Sequence, residues 1–482
     1  MSRKSMIKNR SKQILTSLAL LFCFLVLVVG ISLPIARSIK PNDYAGVQIP
    51  ELLIIDNVSL VTMTHQGILR DKQLVIQNGI IQTIQDAGSP FSNNAQYMDA
   101  KQGFLTPGLF DMHVHIYDSK YLVANLAFGV TSVRAMRGES RFLRWKNELA
   151  NNQWLGSNLY VSSPILDGEY AHALNQKTLT PEEGRLEVRK AKQKGYDLIK
   201  AYGYLAPEVF AAIRDEAKKQ SIPVAKHGPH PIADLDWTSI AGLQSLEHVE
   251  DIFQGPLNYK FDKQKLPHII HQIKSLNTPV TPTLATFKHL TDISSEKQAF
   301  IDSIDLDYLN PFYRDLLKHF SVDRWLAASD KHAKYNRQEF EFLQYIVNEL
   351  HKEKVSLLVG SDSGTMFSLP GISTHDEMNL MKQAGLSDYQ VLKAATFNSA
   401  QALKVADKYG SIQTGMIADL LLVSGNPVEN IGLLREPAAV IKSGQLLNSQ
   451  QLQSLKQSAK NQTNYYFSVM ALIDDIVERA FE

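Results

Sequence analysis

The middle of the chain alternates apolar runs typical of β-strands with amphipathic stretches typical of helices. Helical patterns such as TPEEGRLEVRKAKQKG and APEVFAAIRDEAKKQS separate many of the apolar runs. Eight such runs interleaved with helices predict an α/β fold, a (β/α)8 TIM barrel. An open doubly wound sheet is disfavoured because no glycine-rich phosphate loop follows an early strand. The candidate strands are FDMHVHI, GVTSVRAM, NLYVSSPI, YDLIKAYG, IPVAKHG, LQSLEHV, TPVTPTLA and VSLLVGSDS.

Two further β-rich regions flank this middle. LLIIDNVSLV and QLVIQNGIIQTI lie near the start, and GSIQTGMIADLLLV and PAAVIKSGQLL near the end. We therefore predict one small β-sandwich domain built from residues 51–107 and 408–447, with the barrel over residues 108–407. Residues 448–482 would form a helical tail. The segment 287–354 is too long for a simple connection, and its helical pattern predicts a cover over one mouth of the barrel.

The N-terminal region differs from the rest of the chain. Residues 1–13 form a basic flank without an acid, residues 14–33 carry no charge, and residues 34–50 are a proline-containing linker. An apolar run of about 20 residues matches the bilayer core, and the basic flank places the N-terminus inside. We predict a retained transmembrane anchor, with a cleaved signal peptide as the alternative. The rest of the chain would be extracytoplasmic, periplasmic or at the cell surface, and secreted after cleavage.

Composition narrows the chemistry. The 482 residues are 44% hydrophobic and 21% charged with a net charge of +1, which indicates globular structure and gives no sign of a nucleic-acid partner. Cys23 is the only cysteine and lies inside the apolar run. The body therefore has no disulfide, and any metal site in it must use His, Asp, Glu or a modified Lys.

The stretch TPGLFDMHVHIYD places His113 and His115 on the first barrel strand. Residues i and i+2 of a strand share a face, so both would point into the barrel. Alone, the pair is as consistent with satisfied core histidines as with metal ligands. Four other strands also end in a suitable group, at the end where barrel active sites form, and this favours ligands. Those groups are Lys200, His227, His248 and Asp362.

These groups suit a site for two divalent metal ions. Neutral imidazoles and carboxylates hold zinc-type ions, and the metal converts its bound water to hydroxide near pH 7. Asp362 would bind one metal, accept the proton of the attacking water and later donate it to the departing amine. A buried Lys200 could react with CO2 to form a bridging carbamate; the alternative is a barrel lysine paired with Glu or Asp. Zinc is expected, with Mn, Fe or Co as alternatives.

His227 and His248 would hold the second metal. His230 is the rival to His227, but the turn through Gly228 and Pro229 favours His227. His230 would then point towards substrate. Further candidates for substrate contact are His172, Tyr202 and His375.

Longer motifs extend this pattern over residues 51–460, among them LTPGLFDMHVH, SLEHVED, VGSDSG, LKAATFNSAQAL and GSIQTGMIADLLLVSGNP. With them the sequence resembles the amidohydrolase superfamily, most closely its imidazolonepropionase-like and Xaa-Pro dipeptidase (prolidase)-like branch. The resemblance implies a metal-dependent hydrolase of C–N bonds. It assigns His113 and His115 to the first metal, Lys200 to a carboxylated bridge, His227 and His248 to the second metal, and Asp362 to catalysis.

We expect the substrate to be a dipeptide or an N-acyl amino acid. The alternatives are a hydrolase of cyclic amides such as imidazolones or lactams, a heterocycle deaminase, or an anchored binding protein without catalysis. Lys200 argues against a deaminase, as does His230 where deaminases of this superfamily place a Glu. Departures such as RAMRGE after the second strand leave the substrate undefined. The partners are a small molecule or short peptide and a membrane through residues 14–33, and a homo-oligomer is left open.

Overall fold

A computed structural model gives the arrangement of most of the chain. The described residues fall into two compact units, one within residues 1–40 and 463–482 and the other within residues 41–462. In the first unit residues 28–38 are helical, and Arg37 donates hydrogen bonds to Asp474 at 3.0 Å and Glu478 at 2.9 Å. The structure describes residues 16, 20, 28–41, 49–172, 175–227, 240–460 and 465–480.

None of the helices within those described ranges is long and apolar enough to cross a membrane. Most of the predicted span 14–33 lies outside the described residues.

Strands from both ends of the larger unit form one sheet. They are β1 Leu52–Val61, β2 Ile68–Gln77, β3 Ile80–Asp86, β4 Gln96–Asp99, β5 Phe104–Pro107, β14 Leu420–Val423, β15 Ala439–Lys442 and β16 Gln445–Asn448. The strand order is β16-β15-β14-β5-β1-β2-β3, and β4 pairs with β1. The edge strand β3 also pairs with the chain just before β14, because the amide of Ile81 donates to the carbonyl of Met416 at 2.8 Å. The predicted sandwich is therefore one curled sheet around a shared apolar core.

The second sheet is parallel and barrel-like. Its strands are β6 Leu109–Val114, β7 Val130–Ala135, β8 Asn158–Asp167, β9 Gln176–Lys177, β10 Leu198–Ala201, β11 Val224–His227, β12 Ser245–Glu247 and β13 Val280–Thr281. The strand order is β13-β12-β11-β10-β8-β7-β6, with β9 beside β8. Residues 355–363 close it, because Leu357 bridges Val280 on one edge and Ser363 bridges Val114 on the other. All eight predicted strand runs take part, which confirms an α/β barrel-like sheet.

Helices follow the barrel strands, and their ends obey local rules. Thr180 and Glu183 exchange hydrogen bonds of 3.2 Å in a capping box, and Gly195 ends the same helix at φ +90°. The helices of this part of the unit are Lys120–Ala127, Ser140–Ala150, Pro181–Lys194, Pro207–Lys219, Glu250–Gln254, Leu266–Ser275, Ile372–Gln383, Asp388–Lys393, Ser399–Ala402 and Ser449–Lys460.

The long segment before the eighth barrel strand is helical, as predicted. Its longest helix buries Leu343, Ile346 and Val347, and Asn336 donates a hydrogen bond to Ser294 at 3.0 Å. These contacts fix that helix against the one that begins at Leu284. The helices are Leu284–Glu296, Gln298–Ser303, Pro311–Leu317, Asp323–Leu326 and Asp330–Lys352, with 3-10 and π turns at Leu306–Tyr308 and Lys318–Val322.

Candidate metal and catalytic site

The first and last barrel strands bring His113, His115 and Asp362 together. The amide of Asp362 donates to the carbonyl of His113 at 2.8 Å, which holds the two chain segments in register. Asp362 Oδ1 lies 3.0 Å from His115 Nε2 and 3.5 Å from His113 Nε2. One ligand atom from each residue lies within 4.8 Å of the others. Asp362 adopts φ +54°, a left-handed conformation that is uncommon for a non-glycine residue.

The other ring nitrogen of His113 shows which tautomer it carries. Nδ1 lies 2.7 Å from Glu247 Oε2, a carboxylate oxygen, so Nδ1 carries the proton and donates it. Nε2 then presents a lone pair towards Asp362 Oδ1, and neither atom has a hydrogen-bond partner within the described residues. Burial, reinforced by the charge of Lys200, lowers the pKa of His113 well below its ordinary value. Two acceptors that face each other repel unless a cation lies between them, so this pair fits a divalent metal.

Glu247 and Arg134 support His113 from inside the barrel. Arg134 donates to Glu247 Oε1 at 2.7 Å and to the carbonyl of Met112 at 2.6 Å, and both charged side chains are fully buried. Burial alone would raise the pKa of Glu247, but Arg134 and Lys200 outweigh it and lower that pKa. The sequence analysis missed this pair. The sequence does contain a sign of this pair, because each of two apolar strands carries one charged residue. Two opposite charges that are buried together are expected to form an ion pair.

His248 is fixed in a similar way at the end of β12. Its Nδ1 lies 2.6 Å from Thr283 Oγ1, which in turn donates to the carbonyl of Pro282 at 2.7 Å. The hydroxyl therefore accepts from Nδ1, and Nε2 carries the lone pair. His248 has φ +69°, and its ring lies 4.6 Å from the ring of His113, centroid to centroid.

His227 adjoins the same cluster. Its ring lies 4.7 Å from the ring of His248 and stacks on Tyr202 at 4.6 Å. Nδ1 faces Asp251 Oδ2 at 3.5 Å. Within the part of the chain that the structure describes, the group of three close ligands contains neither His227 nor His248, so the second-metal assignment stays a prediction.

Lys200 is buried beside this cluster on β10. Its Nζ makes no hydrogen bond to any residue that the structure describes, and it lies 5.4 Å from the centre of the Tyr202 ring. Burial lowers the pKa of Lys200 to about 8. Burial therefore increases the fraction of the neutral amine that the carbamate hypothesis requires. The described residues provide no direct ion pair of the kind that the alternative requires.

The structure places the four candidate substrate contacts differently with respect to the cavity. Tyr202 lines the cavity described below, and His230 lies outside the described residues. The structure does not bring His375 to the cavity: it is buried, and its Nε2 donates to the carbonyl of Phe128 at 2.8 Å. His172 is exposed and does not line the cavity either. Both were loop or helix positions whose location depends on packing that a sequence pattern does not encode.

A cavity of about 860 Å³ opens from the cluster. Its inner end is formed by residues at the strand ends, and its wall by the helical segment between the seventh and eighth strands. That segment therefore does border one mouth of the barrel. The inner residues are His115, Tyr202, His227, His248 and Asp362, and the wall includes Phe287, Leu290, Trp325, Tyr335, Glu339, Phe340 and Leu343.

Comparisons with known proteins agree with this geometry. The chain is 24% identical over 398 residues to an imidazolonepropionase of Photorhabdus laumondii subsp. laumondii, covering 78% of this chain and 91% of that one. Its fold is similar to a bottromycin amidohydrolase, with a TM-score of 0.70 and 21% identity over 90% of this chain and 94% of that one. It is also similar to a Xaa-Pro dipeptidase with bound methionine, with a TM-score of 0.63 and 19% identity over 82% and 100%. At these identities the structural likeness concerns the fold alone.

The model of the amidohydrolase family matches residues 104–447, which is more than half of the chain. The match runs from β5, through the whole barrel, to the return strands of the curled sheet. It contains every residue of the cluster described above. The chain therefore belongs to the amidohydrolase family, and it is a hydrolase of C–N amide bonds.

Proposed function

We propose that this chain hydrolyses the amide bond of a dipeptide or an N-acyl amino acid. The observation that carries the proposal is the pair of facing acceptors, His113 Nε2 and Asp362 Oδ1, 3.5 Å apart beside the cavity. The cavity of about 860 Å³ has room for a substrate of two residues. The structural neighbour named a Xaa-Pro dipeptidase supports this substrate class.

Two divalent ions, zinc in the first instance, would be held by these side chains. His113, His115 and Asp362 would hold the first, and His227 and His248 the second. When bound, such ions lower the pKa of water and polarise the amide carbonyl. Glu247 holds His113 in the tautomer that leaves Nε2 able to bind, and Thr283 does the same for His248.

Asp362 would move the proton of the reaction. Its carboxylate takes a proton from the attacking water and returns it to the amine that leaves, so the side chain ends as it began. Thr365 Oγ1 donates to the backbone carbonyl of Asp362 at 2.8 Å and lies 3.3 Å from its Oδ2, so Thr365 holds this residue in place. The cavity beside Asp362 admits both water and substrate.

Lys200 would supply the bridging anion. The neutral amine attacks CO2, and loss of one proton leaves a carbamate with two anionic oxygens. Deep burial and a pKa lowered to about 8 support this step, since they keep the amine unprotonated at moderately alkaline pH.

We also propose that residues 14–33 anchor the enzyme in a membrane, with residues 34–482 extracytoplasmic. The support is the charge-free run behind a basic flank. Carbonate extraction of membranes should retain the chain, and N-terminal sequencing should find it uncleaved. A soluble chain would contradict the anchor, and one cleaved after the run would indicate a signal peptide.

The function is tested by metal analysis combined with a substrate panel. Purified protein should contain close to two ions per chain and release amino acids from dipeptides or N-acyl amino acids. The panel includes a lactam and an imidazolone, because a curated relative is named an imidazolonepropionase. Hydrolysis confined to the cyclic amides would replace the proposed substrate class. Absence of both metal and hydrolysis after zinc or manganese is added would contradict the proposal.

A further inference from the structure

Two glutamates face the cavity from elements that are distant in sequence. Glu250 begins the helix Glu250–Gln254 behind β12, and Glu339 lies in the long helix Asp330–Lys352. Both line the same cavity as Asp362 and the histidines of the cluster. The lining of the cavity therefore includes two glutamates that the proposed reaction does not use.

Glu339 is the more informative of the two. It is partly buried, and it makes no hydrogen bond or ion pair with any residue in the described part of the chain. Burial raises the pKa of Glu339 to about 7, which reflects the cost of an unpaired charge in this place. Glu250 accepts a hydrogen bond from Gln254, so it has one partner. A cation from a ligand would offset the desolvation of Glu339.

Two aromatic rings complete this wall. Tyr259 and Tyr335 line the cavity beside the glutamates. Burial is the main cause that raises the pKa of Tyr259, and the charge of Glu250 adds to it. Burial also raises the pKa of Tyr335, and there the charge of Glu339 adds to it. The four groups are therefore close neighbours. Carboxylates combined with the faces of aromatic rings are an environment that binds ammonium and guanidinium groups.

Two basic side chains, Arg324 and His332, also line the cavity, but they do not pair with the two glutamates. Arg324 is exposed, and its guanidinium lies over the ring of Trp325 at 4.8 Å. His332 is exposed on the first turn of the long helix, where its amide binds Ser329. No ion pair joins Arg324 or His332 to Glu250 or Glu339 within the described residues. The two glutamates are thus left for a cation that enters with the substrate.

We propose that the cation wall, formed by Glu250, Glu339, Tyr259 and Tyr335, binds a positively charged substrate group and selects amides that contain lysine or arginine. The inference rests on the proposed function and deepens it, because it names the side-chain class of the substrate. The group is the ammonium of a lysine side chain or the guanidinium of an arginine side chain. An acidic substrate would place a further acid beside these two glutamates, which is unfavourable.

The test compares substrates that differ only in charge. Alanyl-lysine is paired with alanyl-norleucine, lysyl-alanine with norleucyl-alanine, and each is also measured after N-acetylation. The wild-type enzyme should prefer lysine over norleucine by about 10- to 100-fold in kcat/KM, the range expected for a partly desolvated charged contact. The preference should survive acetylation, because it belongs to the side chain. A fall in kcat/KM on acetylation that is equal for both members of a pair, without a preference between them, would instead assign the contact to the amino terminus and overturn the inference.

Variants then locate the contact. Glu339→Gln should bring the lysine-to-norleucine ratio close to one, because kcat/KM should fall much more for the lysine member of each pair than for the norleucine member. Glu341→Gln is the matched control, since Glu341 lies on the same helix but is exposed and away from the cavity. Glu339→Lys should reverse the preference towards a glutamyl substrate. An equal preference in the wild-type enzyme, or equal losses on both substrates of a pair, would overturn the inference.

Failure of the proposed function gives a different result. A metal-loaded enzyme that hydrolyses no peptide of the panel would contradict the function but leave the wall testable by calorimetry with lysine and norleucine amides. Tighter binding of the lysine amide, lost in Glu339→Gln, would still support the cation wall. Equal binding of both amides would reject it.

Discussion

The two ends of the active-site cavity are built differently. At the inner end, His113 on β6 and His248 after β12 are each held by a second side chain, at 2.7 Å and 2.6 Å. At the outer wall, Glu339 has no such support in the described residues, and Tyr259 is 47% exposed. The inner end is therefore preorganised for one chemistry, whereas the wall can vary without disturbing it. In this chain, reaction type and substrate choice lie on separate structural elements.

The largest expected effect belongs to the inner end. Asp362→Asn replaces the carboxylate that we propose binds a metal and moves the proton, and it should lower kcat by about 10² to 10⁴ or more. Steady-state kinetics on a dipeptide checks this, together with metal content. A variant that keeps more than a tenth of the wild-type kcat would break the assignment of Asp362.

The next effect concerns the buried support. Glu247→Gln replaces the acceptor that orients His113 and leaves Arg134 without its charge partner, so metal affinity or activity should fall by about 10- to 100-fold. Metal dissociation constants measured with a chelator provide the readout. Glu353→Gln is the control, because Glu353 pairs with Lys274 on the surface at 2.9 Å. Equal results for both variants would mean that the inner end is not preorganised as described.

A smaller effect separates the wall from the inner end. Glu339→Gln should change metal affinity by less than about twofold, since Glu339 contacts no proposed ligand. Metal titration of the variant beside Glu247→Gln measures the difference. If Glu339→Gln lost as much metal affinity as Glu247→Gln, the wall and the inner end of the cavity would be energetically coupled. The proposed difference between them would then be wrong.

The smallest effect on activity is expected at His375. Burial lowers the pKa of His375 to about 4, although its hydrogen bond to Phe128 opposes the shift. The unfolded chain therefore binds a proton between about pH 6.5 and 4 that the folded chain does not, so stability falls as the pH falls through this window. His375→Asn should remove up to about 3 kcal/mol of this pH dependence and leave kcat/KM within about twofold. Denaturant unfolding from pH 7 to 4 checks the slope, and a large change in KM would return His375 to the substrate site.

Much of the barrel could be predicted from its sequence because strand runs carry their own signal. Apolar runs such as VSLLVGSDS define both the strand and the residue at its end, so strand patterns alone predict that Asp362 lies near His113. The curled sheet could not be told from a sandwich in this way. Its closure depends on Ile81 pairing with Met416, a contact between residues far apart in sequence.

The sequence by itself determined the strand ends and thus the identity of the candidate ligands, because alternation along a strand is a local property. Only the tertiary structure decided the rest. It paired Arg134 with Glu247, removed His375 from the site, and brought Glu250 and Glu339 to one cavity from two helices. Helix orientation and long-range contacts decide which side chains meet across a packed core. Neither is encoded in the hydrophobic periodicity of the sequence.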